Sequence, residues 1–120
     1  MHIFRLCGQF LGRCHLAFVL LTLAFTSSAI ANEMPVFDIE FNDGIVSTRY
    51  LEIPANTPVK LVVRNIGTTP IEFESLRLRK EKVIGPGAVS FVVIRKASPG
   101  SYPFFDEFHP ETTQGVIVAK

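Results

Sequence analysis

One short segment near the end of the chain gathers the side chains that are best suited to chemistry. In FFDEFHPET, His109 is accompanied by Asp106, Glu107 and Glu111. An imidazole and several carboxylates offer nitrogen and oxygen donors, and such donors suit iron, manganese or Cu(II) better than Cu(I). Pro110 fixes its own φ and favours an extended backbone at His109. The segment is therefore a candidate metal-binding loop, whereas a lone histidine in a loop of a small domain is more often a surface residue.

A second pair of carboxylates lies on a short alternating segment upstream. In PIEFES, Ile71 and Phe73 share one face of a predicted strand, whereas Glu72 and Glu74 share the other. Two glutamates on one strand face most often form a solvated surface. Alternatively, one of them supplies a further oxygen ligand to the metal-binding loop, and the sequence does not say which.

The first part of the chain has the order of an export signal. Two arginines precede or flank an apolar run, Leu16–Phe25, and small residues follow at Ala29–Ala31. Basic, apolar and small residues in this order are typical of a cleaved secretory signal peptide. The apolar run has ten residues, whereas a helix needs about 20 to cross a bilayer, so an uncleaved anchor is the less favoured alternative. We expect residues 1–31 to be removed and residues 32–120 to reach the periplasm or the cell exterior.

Removal of the signal peptide would change the composition in a way that limits the possible functions. Both cysteines, Cys7 and Cys14, lie within it, as do His2 and His15. The mature chain would keep His109 as its one histidine and would have no disulfide. The loss of two arginines would turn the formal charge from +1 to −1, and such a chain gives no reason to expect nucleic-acid binding.

Turn signals divide residues 32–120 into short apolar segments. The motifs NDG, PANTP, NIGTTP, GPG and SPG separate runs such as VFDIEF, VKLVVR, VSFVVIR and GVIVAK. Short strands at spacings of about 8–12 residues, with turn residues between them, predict an all-β sandwich. Because no segment of this region has the 3.6-residue period of a helix, we expect one domain of about seven strands.

Two further expectations concern the direction of side chains. In LRLRKEK, Leu76 and Leu78 are expected to point inwards from a strand, and Arg77 and Arg79 outwards. The basic side chains would keep that edge from pairing with other chains, or else dock an acidic partner. Seven phenylalanines are expected to fill the core. They are Phe37, Phe41, Phe73, Phe91, Phe104, Phe105 and Phe108.

Three segments carry a resemblance to a known family. NIGTTPIEFES, GPG and PGSYPFFDEFHPE, followed by Gly115 and a final strand, resemble the cupredoxins. They are most similar to the EfeO-type cupredoxin-like domain family, and within it to the small periplasmic cupredoxins of bacterial Ftr-type ferrous-iron transport systems. The resemblance covers essentially all of residues 32–120. It implies a cupredoxin-like Greek-key β-sandwich in the periplasm, with a periplasmic iron-binding protein and an inner-membrane iron permease as partners.

The resemblance also indicates where this chain departs from the copper-binding members of the fold. The family's first histidine position falls at Ile71, its cysteine at Asp106, its second histidine at His109 and its methionine near Thr113. A type 1 copper site requires a thiolate, so we expect none in the mature chain.

The resemblance and the donors together imply a site for an iron or copper ion. The predicted metal-binding side chains are those of His109, Asp106, Glu111, Glu72, Glu74 and Glu107. We expect Phe105 and Phe108 to form the rim of the site, although both could equally belong to the core.

Three functions are compatible with such a site. The first is a metal-binding component of ferrous-iron uptake that assists iron oxidation or delivery to the permease, since carboxylates hold Fe(III) more tightly than Fe(II). The second is a copper-loaded ferroxidase that accepts electrons from Fe(II). The third is a metal-free scaffold domain of the transporter complex. A binding or transport role is favoured over catalysis because the thiolate and the first histidine are missing.

Overall fold

A computed structural model describes residues 28–120 of the chain. The chain divides into two units, Met1–Ile30 and Ala31–Lys120, and residues 1–27 of the predicted signal peptide lie outside the described part. The second unit contains nine strands: β1 Val36–Asn42, β2 Ile45–Val46, β3 Tyr50–Ile53, β4 Val59–Asn65, β5 Ile71–Ser75, β6 Lys80–Ile84, β7 Val89–Ile94, β8 Gly100–Asp106 and β9 Gly115–Ala119. Within residues 28–120 there is no helix long and apolar enough to cross a membrane.

The nine strands form two mixed sheets. One sheet has the order β2-β1-β4-β7 and the other β3-β9-β8-β5-β6. Most neighbours are antiparallel, but β1 pairs with β4 and β3 pairs with β9 in parallel. The prediction of an all-β sandwich is confirmed. The strand number exceeds the expected seven because two short segments, the two-residue β2 and the edge strand β3, pair as strands in their own right.

Alternation of side chains gives the two sheets a shared core. In β4 the side chains alternate between buried and half-buried from Val59 to Asn65, as the two-residue period of a strand requires. Phe73 and Phe104 stack with their ring centroids 5.7 Å apart, and Phe41 meets Phe104 edge-on at 6.4 Å. All three rings are fully buried, and burial of each such side chain stabilises the fold by about 1.5–3 kcal/mol.

Two of the phenylalanines expected in the core are not part of it. Phe91 is 52% exposed and Phe108 is 49% exposed, whereas Phe37 and Phe105 are half-buried. Phe91 lies on the outer face of β7, where the ammonium group of Lys60 lies 4.4 Å from its ring centroid. VSFVVIR is apolar on both faces, so its composition does not reveal which face is inner. Phe108 lies in a loop, where no strand period fixes its direction.

The strand expected over LRLRKEK is instead a turn followed by a strand. β5 ends at Ser75 and β6 begins at Lys80, and these two residues are directly paired. Arg79 has a φ of 54°, and its N–H donates to the carbonyl oxygen of Leu76 at 3.1 Å. Leu76 is 72% exposed, so its expected inward direction was wrong, while Leu78 packs against the core. The alternation of leucine and arginine does not indicate a strand here. Because Ser75 pairs directly with Lys80, residues 76–79 must form the turn that connects β5 with β6.

Asp43 ties together two turns at the end of the sandwich that also carries the loop between β8 and β9. Its carboxylate accepts hydrogen bonds from the backbone N–H and the hydroxyl group of both Thr68 and Thr69. The Thr69 hydroxyl is the largest of the causes that lower the pKa of Asp43. A Cβ at position 67 would lie 2.6 Å from the Asp43 Oδ1, so only Gly67 permits this close approach.

Candidate functional site

Asp106 is the last residue of β8, and its side chain is fully buried. Its Oδ1 accepts hydrogen bonds from the backbone N–H groups of Glu72 at 2.9 Å and Phe108 at 3.1 Å, and its Oδ2 lies 2.9 Å from the Nδ1 of His109. A buried carboxylate is costly unless it has hydrogen-bond partners, and these three donors supply them. Both oxygens of Asp106 therefore face protein donors, which makes the residue an anchor of the loop.

The contact with Asp106 also determines the state of the His109 ring. Because a carboxylate accepts hydrogen bonds, the proton of the neutral imidazole lies on Nδ1 and the lone pair lies on Nε2. The ring lies against Gly44, where an added Cβ would stand 3.3 Å from the His109 Cδ2. The side chain is 36% exposed. Histidines that bind metals are commonly held by a carboxylate through the other nitrogen, so Nε2 is the atom with which His109 could bind a cation.

Thr113 closes the loop between β8 and β9. Its Oγ1 accepts the backbone N–H of Asp106 at 2.8 Å and donates to the carbonyl oxygen of His109 at 2.6 Å. The backbone N–H of His109 in turn donates to the carbonyl oxygen of Asp106 at 3.0 Å. Thr113 is fully buried. The loop is thus held by a hydrogen-bond network of Asp106, His109 and Thr113, which we call the loop network.

A second group of acidic side chains lies on the outer face of the sheet, and we call Glu72, Glu74, Glu81 and Glu107 the carboxylate patch. The outward direction of Glu72 and Glu74 agrees with the predicted alternation. Glu81 on β6 is paired with Glu74, and the backbone N–H of Glu107 donates to the carbonyl oxygen of Glu72 at 2.9 Å. Neighbouring strands and one loop residue therefore bring four carboxyl groups to one surface.

Crowding of the carboxylate patch changes its ionisation. A hydrogen bond with Glu107 is the main reason that the pKa of Glu74 is raised to about 7, and partial burial and the charges of Glu107, Glu72 and Glu81 add to it. Burial, followed by the charges of Glu107, Glu81 and Asp106, raises the pKa of Glu72. The protonated form of Glu74 is therefore favoured over a wider pH range than that of an isolated glutamate. Like charges that lie close together oppose ionisation.

Glu111 lies apart from the carboxylate patch, in an exposed part of the loop. With Phe108, His109, Pro110 and Thr112 it lines a shallow hollow of about 320 Å³. Phe108 is therefore at the rim of this hollow, beside His109. Phe105 borders the carboxylate patch instead, because it is paired with Glu74 across β5 and β8.

The six predicted metal-binding side chains are thus divided between two places. His109 lies on Asp106 with Glu111 nearby, whereas Glu72, Glu74 and Glu107 belong to the carboxylate patch. In the described part of the chain, no three side chains of His, Cys, Asp or Glu are grouped so that they could hold a metal ion. Metal binding by these residues stays a prediction.

The residues at the expected type 1 copper positions do not fit that centre. Ile71 is a fully buried core residue, and Asp106 and Thr113 are buried and hydrogen-bonded to the loop. Soft sulfur donors are what such a centre requires, and Cys7 and Cys14 lie outside the described residues. Hydrogen bonds hold both Asp106 and Thr113 within the loop network.

Two contributors to this end of the molecule were not foreseen from the sequence. Glu81 appeared only as part of a basic segment, and its proximity to Glu74 depends on the register of β5 and β6. Thr113 appeared only as a substitute for methionine, and its role as a hydrogen-bond partner depends on how the loop closes. A turn over residues 76–79 pairs Ser75 with Lys80, and this register would have predicted that Glu81 lies opposite Glu74.

The fold and the position of the loop between β8 and β9 define a β-sandwich of the cupredoxin class. Residues 15–119 match the cupredoxin-like domain family, and the chain belongs to this family. An uncharacterized protein of Rickettsia prowazekii, RP394, is 35% identical over 68 residues, which cover 57% of this chain and 54% of that protein. The match therefore spans about half the length of that relative.

Solved structures with the same fold have low sequence identity to this chain. Dithionite-reduced auracyanin from Roseiflexus castenholzii is 14% identical with a TM-score of 0.59, over 73% of this chain and 98% of that one. The metal-binding domain of the Cu(I)-exporting P-type ATPase CopA of Streptococcus pneumoniae is 10% identical with a TM-score of 0.65, over 74% and 88%. A purple cupredoxin from Nitrosopumilus maritimus is 19% identical with a TM-score of 0.52, over 70% and 99%. At these identities the likeness establishes the fold.

Proposed function

We propose that this protein is the periplasmic metal-binding component of a ferrous-iron uptake system and that iron is its cargo. The observation that supports this most is the carboxylate patch, in which Glu74 is paired with Glu81 and the backbone N–H of Glu107 donates to the carbonyl oxygen of Glu72. This crowding raises the pKa of Glu74 to about 7. A cation that bound the carboxylates of Glu74 and Glu107 would relieve the repulsion between them. Carboxylate oxygens suit hard cations such as iron and manganese.

Each residue of the carboxylate patch has a role in this proposal. Glu74 and Glu107 would bind the cation, and Glu72 and Glu81 would increase the negative potential around it. Glu107 is exposed, so that a cation can arrive from and leave to the solvent or a partner, as delivery requires. Anionic oxygens favour Fe(III) over Fe(II), so bound iron would be easier to oxidise.

The cellular setting belongs to the same proposal. EfeO-type similarity, export to the periplasm, and partnership with a periplasmic iron-binding protein and an inner-membrane permease follow from the resemblance of EFES and FFDEFHPE. The copper proteins among the structural neighbours make copper an alternative cation. Copper bound to these carboxylates would be Cu(II), because oxygen donors disfavour Cu(I).

Anaerobic calorimetry with Fe(II) tests the site directly. We expect residues 32–120 to bind one cation, and the double substitution Glu74→Gln/Glu107→Gln to weaken binding by roughly tenfold or more because it removes both anionic ligands. The double substitution Glu33→Gln/Glu40→Gln removes the same charge elsewhere and is expected to leave the affinity unchanged.

Substitution of His109 separates the two donor groups. If iron binds at the carboxylate patch, His109→Ala keeps the affinity of the wild type. Loss of binding in His109→Ala together with unchanged binding in Glu74→Gln/Glu107→Gln would move the site to the loop. Absence of Fe(II), Mn(II) and Cu(II) binding by the wild type would contradict a metal-binding function.

The loop network favours a second candidate function, a metal-free scaffold domain of the transporter complex. Hydrogen bonds join Asp106, His109 and Thr113 to one another, and such bonds are the internal support that a structural loop needs. Capture of the permease that persists after chelation and in Glu74→Gln/Glu107→Gln would favour the scaffold. Capture that needs the metal would favour delivery of iron.

A further inference from the structure

A basic hollow lies at the end of the sandwich opposite to the loop network. β8 runs from Gly100 to Asp106, and the hollow lies near the beginning of this strand, where Tyr102 forms part of its wall. Its volume is about 490 Å³, within the range of about 300–1,000 Å³ that is usual for ligand sites. Arg77, Lys80, Arg95 and Lys96 are its charged lining residues, and all four are cationic. We call this feature the basic hollow.

The cations of the basic hollow have no acidic partners within residues 28–120. The ion pairs there join Arg64 to Asp38, Lys120 to Glu52 and His109 to Asp106. Four like charges around one hollow repel one another, so an anion that enters it is attracted by all of them.

One of the four cations is already held in position. The guanidinium carbon of Arg77 lies 4.8 Å from the centroid of the Tyr102 ring, and its Nη1 donates to the carbonyl oxygen of Ser101. An arginine that is oriented in advance loses less side-chain entropy when it binds an anion. Its planar donors match the geometry of phosphate oxygens.

The turn between β5 and β6 adds an apolar group to this basic surface. Leu76 is 72% exposed, and Arg77, Arg79 and Lys80 follow it in the sequence. An exposed apolar side chain among lysines and arginines is the composition with which peripheral proteins enter the interface of an anionic membrane. A soluble anion would use the cations alone and would give no role to Leu76.

We propose that the basic hollow and the Leu76 turn dock on the surface of an anionic phospholipid membrane. The hollow receives the phosphate of a lipid headgroup, and Leu76 enters the boundary between headgroups and acyl chains. The docking surface adjoins the carboxylate patch, because a second hollow of about 340 Å³ is lined both by Leu76, Arg79 and Lys80 of the turn and by Glu74 and Glu81 of the patch. The phosphate is received on the far side of Lys80, in the basic hollow, where all the charged lining residues are cationic.

Co-sedimentation with vesicles tests this docking on residues 32–120, which belong to a unit with its own core. We expect binding to phosphatidylglycerol vesicles, weakened by added salt, and little binding to phosphatidylcholine vesicles. Arg95→Gln/Lys96→Gln is expected to lower the partition coefficient roughly tenfold or more, since each cation near such a surface contributes a factor of about five. Leu76→Ser is expected to lower it several-fold. Arg64→Gln/Lys120→Gln, which removes the same charge elsewhere, is the control.

Several outcomes would overturn the proposal. Equal binding to both kinds of vesicle would remove the role of the headgroup charge. An equal loss of binding in Arg95→Gln/Lys96→Gln and in the control would assign the effect to net charge. If inorganic phosphate or a polyglutamate peptide binds in a manner that requires Arg95 and Lys96, while phosphatidylglycerol vesicles do not bind, the hollow serves a soluble anion or an acidic protein instead.

Discussion

A single hydrogen bond decides which nitrogen of His109 is available to the surroundings. Asp106 holds Nδ1 at 2.9 Å, and its own burial is compensated by two backbone donors. Both oxygens of the Asp106 carboxylate therefore have hydrogen-bond partners, and the contact with Nδ1 orients the imidazole ring of His109. Asp106 is therefore a positioning residue, and Nε2 is the ring nitrogen of His109 that it leaves available to solvent or to a ligand.

Substitution of Asp106 by asparagine should exchange the tautomer of His109. The new amide nitrogen would donate to Nδ1, so the imidazole proton would move to Nε2 and the outward lone pair would be lost. Nitrogen-15 NMR of the neutral ring measures the exchange. Replacement of hydrogen bonds to a charged acceptor by neutral ones is expected to cost about 1–2 kcal/mol of stability.

Thr113→Val is the matched control for this tautomer exchange. It removes the loop bonds of Thr113 and lowers stability, but it leaves the Asp106 carboxylate in contact with His109. The tautomer should therefore remain that of the wild type. A wild-type tautomer in Asp106→Asn would contradict the role that the hydrogen bond gives to Asp106.

Among the structural elements, the turn between β1 and β2 packs against the His109 ring of the loop network. Gly44 in this turn faces the ring of His109, and Asp43 beside it binds Thr68 and Thr69 of the loop that precedes β5. The turn therefore connects the sheet of β1 with the strand that carries Glu72 and Glu74.

Asp43→Asn is expected to destabilise the protein at neutral pH and to have less effect in acid. Hydrogen bonds, with that from the Thr69 hydroxyl first, lower the pKa of Asp43 from its ordinary value of 3.8. A carboxyl group with a lowered pKa stabilises the fold above its ordinary pKa, and this contribution is lost as the pH falls through the lowered value. Urea unfolding of both proteins, followed against pH, measures the difference. A difference that stays constant into acid would contradict this account.

The elements differ in how far the sequence determines them. The outward direction of Glu72 and Glu74 could be predicted because a strand with Ile71 and Phe73 on one face has no other register against a core. Leu76 was misplaced because alternation describes a strand only where a partner strand continues beside it. The separation of His109 from Glu74 could not be predicted, since it depends on which face of the sandwich each backbone segment reaches.

Within residues 28–120, an acidic and a basic surface meet at the turn between β5 and β6, where Glu74 and Glu81 line one hollow with Arg79 and Lys80. The carboxylate patch lies on an outer sheet face, and the basic hollow opens at one end of the sandwich. Away from this meeting point, like charges in each of the two surfaces repel one another. The fold therefore tolerates unfavourable charge pairs, and these pairs should make its stability depend on pH.

Glu74→Gln is expected to stabilise the protein at alkaline pH and to have little effect in mild acid. The hydrogen bond with Glu107, burial and nearby charges raise the pKa of Glu74 from 4.5 to about 7. A carboxyl group with a raised pKa binds its proton more tightly in the folded state, so stability decreases as the pH rises from the ordinary to the raised value. The substitution removes this decrease. Denaturant unfolding between about pH 5 and pH 8 measures it, and parallel profiles for the two proteins would contradict it.

The position of β9 in its sheet has a consequence for the order in which the protein can fold. β9 is the last strand in the sequence, yet it lies between β3 and β8 and pairs with both. The parallel pairing with β3 joins residues far apart in the chain, and closure of such long loops slows folding. Until residues 115–119 have been synthesised, β3 has no neighbour in the second sheet, because β9 is the strand that joins it to β8. Completion of the second sheet therefore depends on the insertion of the last strand between two strands that precede it in the chain.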